Sequence, residues 1–278
     1  MCRLLKGGEL EAKVKGKGKH CMIRFLIKTL NPELIKNHTK TVLLIWILFI
    51  LVIPTGIMFG LFLFMGSFTI IDLQLSERNA LLIDAFLSMI FFLQHSTLVR
   101  LGVRHRFAKL IPEEYYSAFY GLTSGICLLS VSIFWQKSPT IIASAGGIVY
   151  WILRGLFFIC LAGFFWGNES LGSFDVLGAK RLMRHISNRP DKQQQIMAKG
   201  PYRWVRHPLY LFLIVIIWSC PVLTLDRLLF NILWTFWIVI GTYLEDRDLH
   251  HEFGSEYQEY SSRVPMLIPY RIPRDKPV

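Results

Sequence analysis

Apolar residues in this chain gather into long unbroken runs rather than spaced stripes. Six can be marked: Val42 to Met65, Leu81 to Val99, Tyr115 to Trp135, Ile148 to Trp166, Leu209 to Leu225 and Leu228 to Leu244. A helix rising 1.5 Å per residue needs about 20 apolar residues to cross a hydrocarbon core of about 30 Å. The first four runs meet that length. The last two are shorter and are separated only by Asp226 and Arg227, so the pattern predicts a tight helical hairpin whose turn sits at or just inside one interface and whose outer ends lie side by side at the other. Because lipid leaves no partner for free backbone groups, the expectation is an all-α, polytopic helical membrane protein with about six transmembrane helices. The first run is too long and too far from the N-terminus for a cleavable signal peptide, whose apolar core is about 7–15 residues, and it reads as a span. No internal repeat is visible.

Composition agrees: 53% of residues are hydrophobic and 18% charged, with a mean hydropathy of +0.42. The charge balance adds orientation. Thirty-one Lys and Arg stand against 19 Asp and Glu, a net charge of +12, and such an excess suits nucleic acid, anionic lipid or cytosolic loops alike. All but Arg78, Lys137, Arg154 and Arg227 fall in segments 1–40, 100–114, 173–208 and 245–278. Cationic loops resist translocation, so both termini are expected in the cytosol, with bacterial inner membrane and endoplasmic reticulum equally open. The charge follows topology rather than forming one face, which argues against nucleic acid. Residues 1–20 alternate Lys with Gly and are expected to be disordered and drawn to membrane lipids, with Cys21 to Leu30 a short interfacial helix. The sequons at Asn37 and Asn168 fall on the expected cytosolic side and are read as chance. Five scattered cysteines form no CxxC and no Cys/His cluster, so neither a disulfide framework nor a metal site is expected.

The candidate chemistry lies around the hairpin. Gly200-Pro201-Tyr202-Arg203-Trp204-Val205-Arg206-His207-Pro208-Leu209-Tyr210 precedes the fifth span. A residue before proline is pushed out of the α region and proline favours the first helical turn, so a helix should start at Pro208 with Arg206 and His207 just outside it. Free N–H groups, the positive end of the helix dipole and two basic side chains then favour an anionic occupant. The sixth span ends in Leu244-Glu245-Asp246-Arg247-Asp248, which sets carboxylates at the same surface. Further on, Gly254 should end one helix, Ser255 with Gln258 should form a capping box for the next, Tyr257 and Tyr260 should share a face, and Val264-Pro265 should close it. Singly, a basic loop is a topology signal, an acidic cluster a solvated face and a tyrosine pair an interfacial belt. Jointly they suit a zwitterionic ligand with a carboxylate, an ammonium, a ring system and a sulfonium.

The spacing Gly-x-Tyr-x-x-x-Arg-His-Pro-x-Tyr, carried by Gly200, Tyr202, Arg206, His207, Pro208 and Tyr210, is followed by Glu245, Asp246, Leu249, Phe253, Gly254, Tyr257, Tyr260, Val264 and Pro265. Together they resemble the C-terminal signature of the integral-membrane methyltransferases that use S-adenosylmethionine, a superfamily with isoprenylcysteine carboxyl methyltransferase, phospholipid methyltransferases, methanethiol S-methyltransferase, NnrU-type proteins and nurim among its members. The second acidic position is Asp where Glu is usual, which keeps the charge and shortens the reach. Gln94-His95-Ser96, the basic loop with Ile111-Pro112, and Phe134-Trp135-Gln136 are similar to the methanethiol S-methyltransferase and NnrU-type branch. The resemblance covers roughly residues 85–270.

The charge and apolar pattern divides the chain into a basic tail (1–40), outside the resemblance, transmembrane helices one to four (41–172) and a C-terminal region (173–278), and the resemblance implies that the last is catalytic, with a cytosol-facing pocket for S-adenosylmethionine. It assigns cofactor binding to Gly200, Tyr202, Arg206, His207, Pro208, Tyr210, Glu245, Asp246, Tyr257 and Tyr260, and catalysis to Arg206, His207 and His95. Gln94 and His95 are equally readable as interhelical hydrogen-bonding groups. Asp84 and Arg154, ionisable residues inside spans, are left outside the site. The preferred acceptor is a small thiol. The alternatives are a prenylated cysteine or other lipidic acceptor, and a non-catalytic nurim-like scaffold.

Overall fold

A computed structural model of the protein describes residues 38–107, 109–171, 179–187 and 198–271. The Lys/Gly-rich tail and the interfacial segment expected at 21–30 lie outside these. In chain order the elements are α1 (Thr39–Met65), α2 (Glu77–Val99), α3 (Leu101–Phe107), α4 (Glu113–Phe134), β1 (Ile141–Ser144), α5 (Gly147–Leu171), α6 (Ala179–His185), a 3-10 turn (Gly200–Arg203), α7 (Pro208–Trp218), β2 (Val222–Thr224), α8 (Leu225–Phe253) and α9 (Ser255–Arg263). Five of them, α1, α2, α4, α5 and α8, are long and apolar enough to cross a membrane, and α7 is a shorter apolar helix. The protein is a polytopic helical membrane protein.

The expected hairpin takes a different form. Its first arm is helical only from Pro208 to Trp218, 11 residues or about 16 Å of rise. The chain then runs through Cys220-Pro221, where proline blocks continuation, and pairs β2 antiparallel with β1. Asp226 and Arg227 are not the turn: they lie in the first turn of the 29-residue α8, fully buried. The Arg227 guanidinium donates to the carbonyls of Phe62 (3.1 Å) and Leu63 (3.2 Å) at the end of α1 and of Ile217 (3.2 Å) at the end of α7. Helix C-termini leave carbonyls without intrahelical partners, and one cation here serves two of them. Asp226 accepts from the Trp135 indole and the Ser138 N–H, both at 2.9 Å. Asp84, also fully buried, accepts from the Gln136 N–H at 2.9 Å. Arg154 donates to the Phe64 carbonyl and lies over the Phe64 ring.

The bundle packs on aromatic side chains: Phe62, Phe92, Trp135, Phe157, Phe230 and Trp234 belong to one buried cluster. α5 lies so close to α7 that a Cβ at Gly163 would meet the Phe212 ring at 2.7 Å and one at Gly167 the Leu209 side chain at 2.8 Å. That contact ties α7, too short to span alone, to a helix that does span.

Candidate functional site

The motif before α7 folds as its local chemistry requires. Gly200 sits at φ +55°, where a side chain is strained, and a Cβ there would also collide with the Ser170 hydroxyl. The 3-10 turn follows, His207 is the N-cap residue and Pro208 the first helical one, as expected. The backbone N–H groups of Arg206 and His207 do not await a ligand: they donate to the carbonyls of Pro265 (2.9 Å) and Met266 (3.1 Å). The segment after α9 thus straps the motif down. The Tyr260 hydroxyl, donating to the Tyr202 carbonyl at 2.7 Å, fastens α9 to the same loop.

Asp246 is the hub. It receives the Arg206 Nη2 at 3.1 Å and the Tyr257 hydroxyl at 2.6 Å, and the His207 Nε2 lies 3.3 Å away. Arg206 also donates through Nη1 to the Ser261 carbonyl at 2.8 Å. Its Nε approaches Asp246 to 3.0 Å as an ion pair but is misaligned for a hydrogen bond and is buried without one. The expected cleft with a cationic wall facing an anionic wall is therefore closed at this point, because Asp246 itself is the anion that Arg206 and the start of α7 attract. Glu245 is freer. Its side chain is 44% exposed, one oxygen accepts from the Tyr210 hydroxyl at 2.6 Å, and the His207 ring stacks on Tyr210 beside it.

Tyr257 and Tyr260 share the inner face of α9, as the spacing predicts, but both are buried, in contact with each other and with Ala198, Leu249 and Phe253. Burial, and for Tyr257 the bond to Asp246, push both phenols well above their ordinary value, so each remains a donor at neutral pH. The Ser255–Gln258 capping box does not form: Gly254, at φ +55°, is the N-cap and no side chain caps the helix. Gly254 does end α8, and α9 does stop at Arg263.

His95 lies in the last turns of α2, bonded to the Tyr120 hydroxyl of α4 and stacked on Phe91. Its partners are Tyr120 and Phe91 rather than Arg206 or Glu245. Gln94 donates to Thr123 (2.9 Å) and Ser124 (3.2 Å). Sequence reasoning missed Tyr120, which falls in no motif, and treated Arg100 as a loop charge; Arg100 pairs with Asp248 at 2.7 Å and holds α2 to α8. Among the described residues, no group of three or more His, Cys, Asp and Glu is arranged to hold a metal ion. An apolar groove of about 310 Å³ between α5 and α7, lined by Leu153, Leu156, Ile214 and Val215 among others, carries no titratable group and lies apart from these residues.

A family model described as a protein of unknown function (DUF1295) matches residues 103–264, which include both motifs and exclude α1 and α2. The chain is similar to methanethiol S-methyltransferase 2 of Bradyrhizobium diazoefficiens, 32% identical over 191 residues covering 69% of this chain and 74% of the relative. It is equally similar to the methanethiol S-methyltransferase of Crocosphaera subtropica, 32% identical over 206 residues covering 71% and 78%. A nurim homologue of Drosophila melanogaster is 24% identical over 58% of this chain and 67% of the relative. No solved structure matches.

Proposed function

The chain belongs to the DUF1295 family and is homologous to membrane methyltransferases, and from that premise we propose that it transfers a methyl group from S-adenosylmethionine to a small thiol. The observation that carries this reading is the meeting, at one end of the bundle, of Arg206, His207 and Tyr210 with Glu245 and Asp246.

The side chains fit the donor. Glu245, half-exposed and held by Tyr210, suits a cationic group, and so do the aromatic faces of Tyr210 and His207. Arg206 suits a carboxylate, which would take the place that Asp246 holds here. When bound, S-adenosylmethionine supplies an electrophilic methyl group on a positively charged sulfur. The chain's own residues do the rest. Arg206 and Glu245 fix the donor's orientation, and the strap over Arg206 and His207 limits water. A thiol ionises near pH 8.5, so its proton must be removed or its pKa lowered. His95 and His207 are the candidate bases, and Arg206 lowers the cost of the thiolate.

The reading is tested by calorimetric titration with S-adenosylhomocysteine. Glu245→Gln and Arg206→Ala should each weaken binding about tenfold or more, since a hydrogen bond to a charged group is worth about 1.5–3 kcal/mol. Unchanged affinity in both variants would place the donor elsewhere. No binding by the unaltered protein would favour a role without turnover, and methylation of a farnesylated cysteine analogue but of no small thiol would replace the thiol acceptor with a lipidic one.

A further inference from the structure

We propose that Gln94, His95 and Tyr120 form an acceptor subsite that selects a neutral hydrogen-bond donor, a protonated small thiol, over a carboxylate. The assignment rests on the methyl-transfer reading above and names the residues that set its specificity.

The argument starts from an imbalance of donors and acceptors. The Thr123 hydroxyl commits its proton to the Phe119 carbonyl at 2.9 Å, so toward Gln94 it can only accept. That fixes the orientation of the Gln94 amide, whose nitrogen donates to Thr123 and Ser124. The amide oxygen is then left buried with no hydrogen-bond partner. A buried acceptor without a donor costs about 1–3 kcal/mol, a cost that a bound donor would remove.

The neighbouring residue repeats the pattern. Both His95 ring nitrogens lie within reach of one hydroxyl, that of Tyr120, at 3.0 and 3.1 Å. A neutral imidazole has one N–H and one lone pair, and a single hydroxyl serves only one nitrogen well at a time. The subsite therefore holds an unmet amide oxygen, a histidine with a nitrogen to spare and a hydroxyl able to give or take. A second acceptor such as a carboxylate would set its charge against the Gln94 oxygen. A neutral thiol can turn its single S–H toward the Gln94 oxygen on binding and toward the spare His95 nitrogen for transfer.

The walls limit size and polarity. His95 stacks on Phe91 at 5.1 Å, and Phe91 on Trp234 at 5.1 Å, which gives an aromatic floor for a short alkyl group. The last turns of α2 run against the stretch of α8 that carries Glu245 and Asp246, joined to it by Trp237 to Ser96 at 2.9 Å and Arg100 to Asp248 at 2.7 Å, which sets the subsite at the donor's end of the bundle. In the step itself the S–H bond breaks and its proton passes to the free His95 nitrogen. The sulfur lone pair forms the new S–CH₃ bond, and the old C–S bond leaves its electron pair on the departing sulfur. The products are a thioether, S-adenosylhomocysteine and one proton. His95 is the catalytic residue of this subsite; Gln94 and Tyr120 are positioning residues.

Turnover of methanethiol by the unaltered protein comes first, and its absence despite S-adenosylhomocysteine binding would sink the thiol reading and this subsite with it. Given turnover, Gln94→Leu and Tyr120→Phe should each raise the KM for methanethiol about five- to tenfold, the size of one neutral hydrogen bond, while kcat falls less and S-adenosylhomocysteine affinity stays constant. Two measurements read the unaltered protein. Ethanol, an O–H donor of similar shape, should compete with methanethiol where acetate does not. In ¹⁵N-histidine-labelled protein held with S-adenosylhomocysteine, ethanethiol should shift the ring resonance identified by its loss in His95→Gln. A wild-type KM in Gln94→Leu, equal competition by acetate, or a His95 resonance indifferent to ethanethiol would each overturn the assignment.

Discussion

Each end of the helix bundle holds an arginine close to aspartate, and the two are built for different purposes. At the end away from the motifs, Arg227 and Asp226 are fully buried, with Arg227 spread over three backbone carbonyls and Asp226 over an indole and an N–H. Their partners are helix ends and loop backbone, which cannot leave without unfolding the corner. At the motif end the side chains of Arg206 and Asp246 keep 11% and 13% exposure, Glu245 keeps 44%, and the partners are mostly side chains that can rotate. A cluster held on fixed backbone locks the fold; one with a half-exposed carboxylate and movable partners is where a ligand can be admitted. Charge and residue type alone do not separate these cases. Access and the supply of partners do.

The largest effect should come from breaking the locked end. Arg227→Met strands carbonyls of α1 and α7 and leaves Asp226 without its neighbouring cation. Removing one partner from a buried charged cluster costs about 3–5 kcal/mol, so thermal unfolding in detergent should show a large drop in Tm or no folded protein. A variant as stable as the parent would mean that this corner is not a lock. The donor-site variants Glu245→Gln and Arg206→Ala come next, and they should change ligand affinity far more than Tm.

Tyr257→Phe sharpens the contrast further, because it removes one donor from Asp246 without altering charge. The cost should be about 1 kcal/mol, read as a few-fold loss of S-adenosylhomocysteine affinity. It also has a pH signature. The folded-state value of this phenol lies above its unfolded value of about 10, so its contribution to stability is complete below about pH 10 and is lost as pH rises beyond that. Stability should therefore fall less steeply above pH 10 in Tyr257→Phe than in the parent, and identical slopes would contradict the burial of this hydroxyl. The smallest effect should be that of Arg100→Gln. The pair with Asp248 is partly exposed, at 21% and 28%, and such pairs are worth about 1 kcal/mol or less, so a Tm shift of several degrees would show that it belongs to a larger network.

What was legible in the sequence divides along the same line. The start of α7 at Pro208 and the stops of α8 and α9 follow from proline and glycine chemistry within a few residues, and the structure keeps them. The long spans follow from length and hydropathy. The hairpin did not, because an apolar count passes through Ser219-Cys220-Pro221 without registering that the helix must break there. Arg227 looked like a loop charge because counting cations by side ignores burial. The pairing of Arg206 with Asp246, and the bond of His95 to Tyr120, depend on which faces of α2, α4, α7 and α8 meet, and no local pattern carries that.

The strap formed by Pro265 and Met266 on Arg206 and His207 also sets an order of assembly. The five candidate membrane-crossing helices among the described residues all precede it in the chain, so the bundle can insert and pack before the loop at the start of α7 is pinned. A polypeptide ending at Val264 would carry these helices and still lack the two backbone clasps that shape the motif. Insertion of the spans and maturation of the site are thus separable events, the second waiting on Pro265 and Met266.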